Sequence, residues 1–257
     1  YEICACLVGS EMCIRDRSIA VCCSLLCFIK QFNSLSNTRK RFFFPNYFHN
    51  LVINGTSAAS GTGYVTGTFD GLKKILSGSD TEYTSEVDIS TSALMDSNYN
   101  AYLDELDGFI SKLAEKPDIL LMNNELLTKT RAAARRAGFY ERSVDGFGRT
   151  VEKYNGIPMM DVGQYYNGTK TIDVIETTTP SATAYGETAI YAVKLGLNAF
   201  HGISVDGSKM VHTYLPDLNA PGAVKKGEVE MLAGAVLKNS KMAGILKGIK
   251  VKPKTAG

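Results

Sequence analysis

Residues 51–257 are predicted to form an α+β fold, and three observations carry that prediction. Two amphipathic helical segments, 96–116 and 124–138, lie close together in the middle of the chain. From about residue 148 the pattern changes to short β-like segments separated by turn residues. Helices and strands are segregated rather than alternating, which favours α+β over a doubly wound α/β sheet. No internal repeat is found.

The elements follow in order. NGTSAASGTGYVTGTFDG (54–71) is dominated by Gly, Ser and Thr and reads as loop. Its glycines at 61, 63 and 67 do not fit G-x-G-x-x-G, and no helix follows directly, so a phosphate cradle is not expected. FDGLKKIL (69–76) is a short amphipathic segment. In DSNYNAYLDELDGFISKLAEK (96–116), Tyr99, Tyr102, Leu103, Leu106, Phe109, Ile110 and Leu113 recur at spacings of three and four, one apolar stripe. Asp96 or Ser97 is the expected cap, and Pro117 marks the end. DILLMN (118–123) reads as a buried strand. In NELLTKTRAAARRAG (124–138), Leu126, Leu127, Thr130, Ala133, Ala134 and Ala137 point inward and Gly138 stops the helix. RTVEKYNGIPMMDV, TIDVIET, TAIYAVKL, AFHGISV and KMVHTYL then read as short strands. Gly156 permits a sharp turn and Pro158 fixes the next φ, a bend into a strand. EVEMLAGAVLKNSKMAGILKGIKV (228–251) gives a long strand, a one-turn helix and a terminal strand.

Of 257 residues, 44% are hydrophobic and 21% charged, ordinary for a globular chain long enough to bury a core. A formal charge of +2 is too small to argue for nucleic acid or acidic lipid as a partner. The N-terminal fifty residues differ from the rest. They carry six Lys/Arg against three Asp/Glu, whereas 51–257 carries twenty-two against twenty-three. All six cysteines (Cys4, Cys6, Cys13, Cys22, Cys23, Cys27) lie in the first 27 residues, so they cannot staple the body. SIAVCCSLLCFI (18–29) is apolar but, at 12 residues, too short for a bilayer, which needs about 20. It fits a signal-peptide core behind Arg15 and Arg17, although Glu11 and Asp16 lie upstream and the chain opens on Tyr1. The cysteine spacings lack C-x-x-C pairs and have no nearby histidine, so zinc is not expected. VGSEMCIRDR resembles the translation of sequencing-adapter DNA at the edge of a metagenomic contig. Residues 1–50 are accordingly expected to be artefact or disordered, with a genuine signal peptide over 15–30 as the alternative.

The body shows no assembled catalytic set. Asp104, Glu105 and Asp107 lie off the helix stripe with Lys112 and Lys116 nearby, and read as a solvated face. Lys129, Arg131, Arg135 and Arg136 form a basic surface in a near-neutral body without interleaved aromatics, which favours a solvated or subunit-facing role over nucleic-acid binding. His201 and His212 sit in strand-like segments with no G-x-S-x-G elbow to partner them. With Asp206 between them they lack the H-x-H or H-x-x-x-H spacing of a metal site. Asn54 and Asn167 head N-x-[ST] triplets, which matter only in a secreted eukaryotic protein. No catalytic, cofactor-binding or metal residue is assigned, no cofactor is expected, and the chain is not expected to be an enzyme.

The order of the segments over 51–252 resembles the major capsid protein of tailed phages, the HK97-like fold. LVINGT leading to FDGLKKIL is similar to the passage from the spine helix into the axial domain. YLDELDGFISKLAEKPDILLMNNELLTKTRAAARRAG is similar to that domain's helix–strand–helix. FGRTVEKYNGIPMMDVG matches the family's G-x-P passage, and TAIYAVKLGLNAFHGISV its late axial strands. EVEMLAGAVLKNSKMAGILKGIKV is similar to the closing peripheral strand.

The resemblance implies an axial domain plus a partial peripheral domain. The expected boundaries are 51–84 for the end of the spine region and entry to the axial domain, 85–215 for the axial domain, and 216–257 for the closing peripheral segment. It further implies self-assembly, through pentamers and hexamers, into an icosahedral head holding double-stranded DNA non-specifically. Scaffold and portal proteins would be partners, no membrane would be involved, and the location would be the virion, or the host cytoplasm during assembly. An encapsulin-type compartment shell is the alternative within the fold, and a secreted binding domain the alternative outside it. The family's N-terminal arm and extension loop have no counterpart in residues 1–50, and NYFHNLVING is read as the last turn of the spine helix. The 257-residue chain is therefore expected not to close into shells.

Overall fold

The computed structural model describes residues 47–57, 59–60, 63–64, 68–138, 141–144, 150–167, 169–179, 185–204, 211–214 and 228–254. The expectations for residues 1–46, and for Asp206, lie outside the described residues. Residues 47–54 are helical (α1), as NYFHNLVING suggests. β1 (Ala59–Ser60) and β2 (Gly63–Tyr64) form a short antiparallel pair within the glycine-rich stretch. Helix α2 (Leu72–Leu76) buries Leu72 and Leu76 and exposes Lys73 and Lys74. β3 (Glu82–Thr84) follows, then the long helix α3 (Ser92–Ser111).

Helix α3 begins one turn before the expected start. Thr91, not Asp96 or Ser97, is the cap: its hydroxyl accepts from the Leu94 amide at 3.2 Å. The extra turn brings Met95 into the core, and Asp96 is drawn instead into a tertiary ion pair with Arg136. β4 (Ile119–Met122) and α4 (Asn124–Ala137) agree with the sequence, including Gly138 in the left-handed region at φ 81°.

The remaining strands are β5 (Glu141–Val144), β6 (Thr150–Tyr154), β7 (Ile157–Asp161), β8 (Gln164–Tyr166) and β9 (Thr171–Asp173). They are followed by β10 (Gly186–Val193), β11 (Phe200–Ser204), β12 (Val211–Tyr214), β13 (Glu228–Met231), β14 (Ala233–Leu237) and β15 (Ala243–Lys252). A 3-10 turn at Ser240–Met242 precedes β15.

Seven strands make the central sheet, in the order β3-β15-β10-β4-β7-β6-β5. Most neighbours are antiparallel, but β4–β7 and β15–β3 are parallel, so the sheet is mixed. Strand direction is set by the crossover through α4 and the β5–β6 hairpin, which no local pattern encodes.

The sheet is buried on both faces. Alternate residues supply the two cores: Leu120, Met122, Ile157, Met159, Ile190 and Ala192 face α3 and α4. Ile119, Tyr191, Val193 and Ile245 face α1, α2 and the 174–175 segment, where Ile53, Leu72, Leu76 and Val174 are buried. In β15 the alternation slips. Leu246 and Ile249 share the α3 face although three residues apart, and the pairing to β10 shifts register between Thr188 and Ile190. Gly248, at φ 78°, adopts the conformation that this extra residue requires.

Candidate assembly surfaces

The sequence-singled side chains do not converge on one site. On α3, Asp104 points to solvent and Glu105 accepts from the Ser85 hydroxyl at 2.6 Å. Asp107 lies beside the Tyr154 phenol, whose pKa is pushed up mainly by burial and further by that carboxylate. Glu105 is thus turned to Ser85, while Asp104 and Asp107 lie on the exposed side of α3 toward Tyr154. On α4, Arg131 pairs with Glu152 at 2.8 Å, Arg136 pairs with Asp96, and Lys129 donates to the Ser90 carbonyl at 2.7 Å. Three of the four basic residues therefore tie α4 to its neighbours. Arg135 is exposed with no ion pair among the described residues.

His201 lies on β11 and His212 on β12, in separate strand pairs. The His201 Nδ1 is buried with no hydrogen-bond partner among the described residues. Among the described residues no group of three or more His, Cys, Asp or Glu is placed to hold a metal ion. Asn54 donates to the Asn50 side chain at 2.8 Å and to the Val174 carbonyl at 2.7 Å, so its amide is turned inward. Asn167 accepts from the Thr169 and Lys170 amides, closing the β8–β9 hairpin. Among the described residues no helix is long and apolar enough to cross a membrane.

Two residues outside the candidate sets, Asn123 and His49, organise the interior. Asn123 is 1% exposed. Its oxygen caps α4 through the Leu126 amide at 2.9 Å, and its nitrogen faces the Ile175 carbonyl and the Thr177 and Thr188 hydroxyls, each at 3.1 Å. His49 on α1 bonds the Val162 carbonyl at 2.6 Å, and burial lowers its pKa. Neither carries a signature in the sequence beyond the N-cap preference of Asn.

What remains open to solvent is edges. The seven-stranded sheet ends on β3 at one side and β5 at the other, each paired on one side only among the described residues. β11 pairs with β14 and β12 with β13, in register from Phe200↔Leu237 to Ser204↔Ala233 and from Val211↔Met231 to Tyr214↔Glu228. These two pairs join no other described strand. Ile203, Tyr214 and Leu232, three of the chain's exposed large apolar side chains, lie on or between them. Unpaired strand edges and exposed apolar side chains are features through which strands meet other surfaces.

No family model matches the chain, and no curated protein matches its sequence. Among solved structures it is similar to a chain of the holo-SrpI encapsulin complex from Synechococcus elongatus PCC 7942. The TM-score is 0.57 at 13% identity, covering 88% of this chain and 71% of the encapsulin chain. The chain therefore shares its fold with this encapsulin chain, a capsid-like fold.

Proposed function

We propose that this protein is a structural subunit that self-assembles into a closed icosahedral shell, in the first reading the head of a tailed double-stranded DNA phage. The observation that supports it most is the encapsulin fold extending over 88% of the chain at a TM-score of 0.57. The segment order around the GIP passage favours the phage head. On this reading the chain is not an enzyme, and it works by repeating modest contacts under symmetry. Its partners are other copies of itself, with scaffold and portal proteins during assembly in the host cytoplasm and packaged DNA in the virion.

The second reading, a compartment shell that encloses protein cargo, is favoured by the encapsulin neighbour itself. Expression of the intact gene with its flanking genes, followed by electron microscopy and analysis of particle contents, separates the two. Nuclease-protected DNA in closed particles supports the phage head. A protein cargo in closed particles supports the compartment. The absence of any particle or ring, with the chain folded and monomeric, overturns both.

A further inference from the structure

The chain contains three Asn-Gly pairs, Asn54–Gly55, Asn155–Gly156 and Asn167–Gly168. Asn-Gly is prone to imide formation, because glycine has no side chain to shield its own nitrogen. The fold treats the three pairs differently. The Asn54 side-chain nitrogen donates to the Asn50 side chain at 2.8 Å and to the Val174 carbonyl at 2.7 Å. Gly55 is buried, and its amide donates to the Leu51 carbonyl at 2.9 Å. Asn167 holds its side-chain oxygen against the Thr169 and Lys170 amides, at 3.0 and 2.9 Å.

Asn155 and Gly156 form the two-residue turn between β6 and β7, where Tyr154 pairs with Ile157. Both are exposed, and both lie in the left-handed region, at φ 49° and 73°. Neither the Asn155 carboxamide nor the Gly156 amide makes a hydrogen bond among the described residues. The Asn155 main-chain carbonyl, by contrast, accepts from the Lys116 Nζ at 2.7 Å. That carbonyl and the Gly156 N–H belong to one peptide unit. A cation bonded to its oxygen stabilises the negative charge that reaches the oxygen when the N–H is lost, and so makes the Gly156 nitrogen a readier nucleophile.

We propose that Asn155 is a site of spontaneous deamidation, selected by its turn and activated by Lys116. The Gly156 nitrogen attacks the Asn155 Cγ and forms the N–Cγ bond of a five-membered imide. The Cγ–Nδ2 bond breaks, and the side-chain nitrogen leaves as ammonia with the proton that Gly156 gave up. Water then opens the imide at either carbonyl, leaving aspartate or isoaspartate with no change of oxidation state. Isoaspartate adds a methylene to the main chain, which a two-residue turn cannot absorb while keeping Tyr154 opposite Ile157. The chemistry needs no second copy of the chain.

Incubation of the purified 257-residue chain in mildly alkaline buffer, with peptide mapping, fragmentation to place the site and isoaspartate detection, tests it. Asn155 is expected to convert at least about fivefold faster than Asn54 and at least about threefold faster than Asn167. Unfolding in urea is expected to bring the three rates together, since the dipeptide alone then acts. Lys116→Gln is expected to slow Asn155 by about threefold and leave Asn167 unchanged, and Lys116→Arg to restore most of the rate. Circular dichroism verifies that both variants are folded. Conversion in the folded chain no faster at Asn155 than at Asn167 overturns the site. An Asn155 lead that persists unchanged in urea overturns selection by the turn. A folded Lys116→Gln protein with an unchanged Asn155 rate overturns activation by Lys116.

Discussion

The central sheet and the β11–β14 and β12–β13 pairs are all built from extended, hydrogen-bonded strands, yet they differ in what covers them. β10 and β15 are walled by helices on one side and by α1, α2 and the 174–175 segment on the other, so Ile190, Ala192 and Leu246 are at most 1% exposed. In the paired strands outside the sheet, Ile203 and Tyr214 are more than half exposed. The difference teaches that strand propensity does not decide where stability resides. Burial on two faces does, because an isolated two-stranded pair is marginal in water.

This contrast can be broken or sharpened by substitution. The largest effect is expected in the sheet. Leu120→Ala removes a fully buried side chain between β10 and β7 and should destabilise by about 2–5 kcal/mol in urea unfolding. Asn123→Ala removes the α4 cap and strips the Thr177 and Thr188 hydroxyls and the Ile175 carbonyl of a partner, an expected loss of about 2–4 kcal/mol by the same measurement. Ile203→Ala lies at the other extreme. At 51% exposure it should shift the unfolding free energy by no more than about 0.5 kcal/mol. A cost comparable to Leu120→Ala would show that β11 is as well covered as the sheet.

The smallest expected effect is electrostatic. The Asp70 carboxyl is held down from 3.8 to about 2, first by the bond from Lys74 and then by the Ser57 amide and hydroxyl. A carboxylate with a lowered folded pKa stabilises above its ordinary pKa and loses that contribution as pH falls toward the folded value. Because the pair is more than a third exposed, solvent screening keeps the term to a few tenths of a kcal/mol, roughly. Asp70→Asn should therefore be slightly less stable than the natural chain at pH 7 and indistinguishable from it near pH 2. A constant gap across that range would assign the loss to Ser57 bonding alone.

Much of the architecture was readable from local pattern. The α4 stripe, its Gly138 stop, the β4 strand and the GIP turn each follow from spacing and backbone preference within a dozen residues. What escaped depends on distant partners. The true start of α3 hinged on Thr91 winning over Asp96, and Asp96 is held by Arg136, 40 residues away. The parallel pairing of β4 with β7 and the register slip at Gly248 are decided between strands, not along them. The surfaces were less legible still. The carboxylates on α3 and the bases on α4 were visible as charge runs, but only the tertiary contacts show that Lys129, Arg131 and Arg136 are engaged with Ser90, Glu152 and Asp96.

The central claim is that this chain is a self-assembling shell subunit. Sedimentation velocity of the purified 257-residue chain over a wide concentration range, in low and in high salt, tests it most directly. The account predicts concentration-dependent growth from monomer to discrete ring-sized oligomers. A folded chain that sediments as a single monomer boundary at every concentration would contradict it.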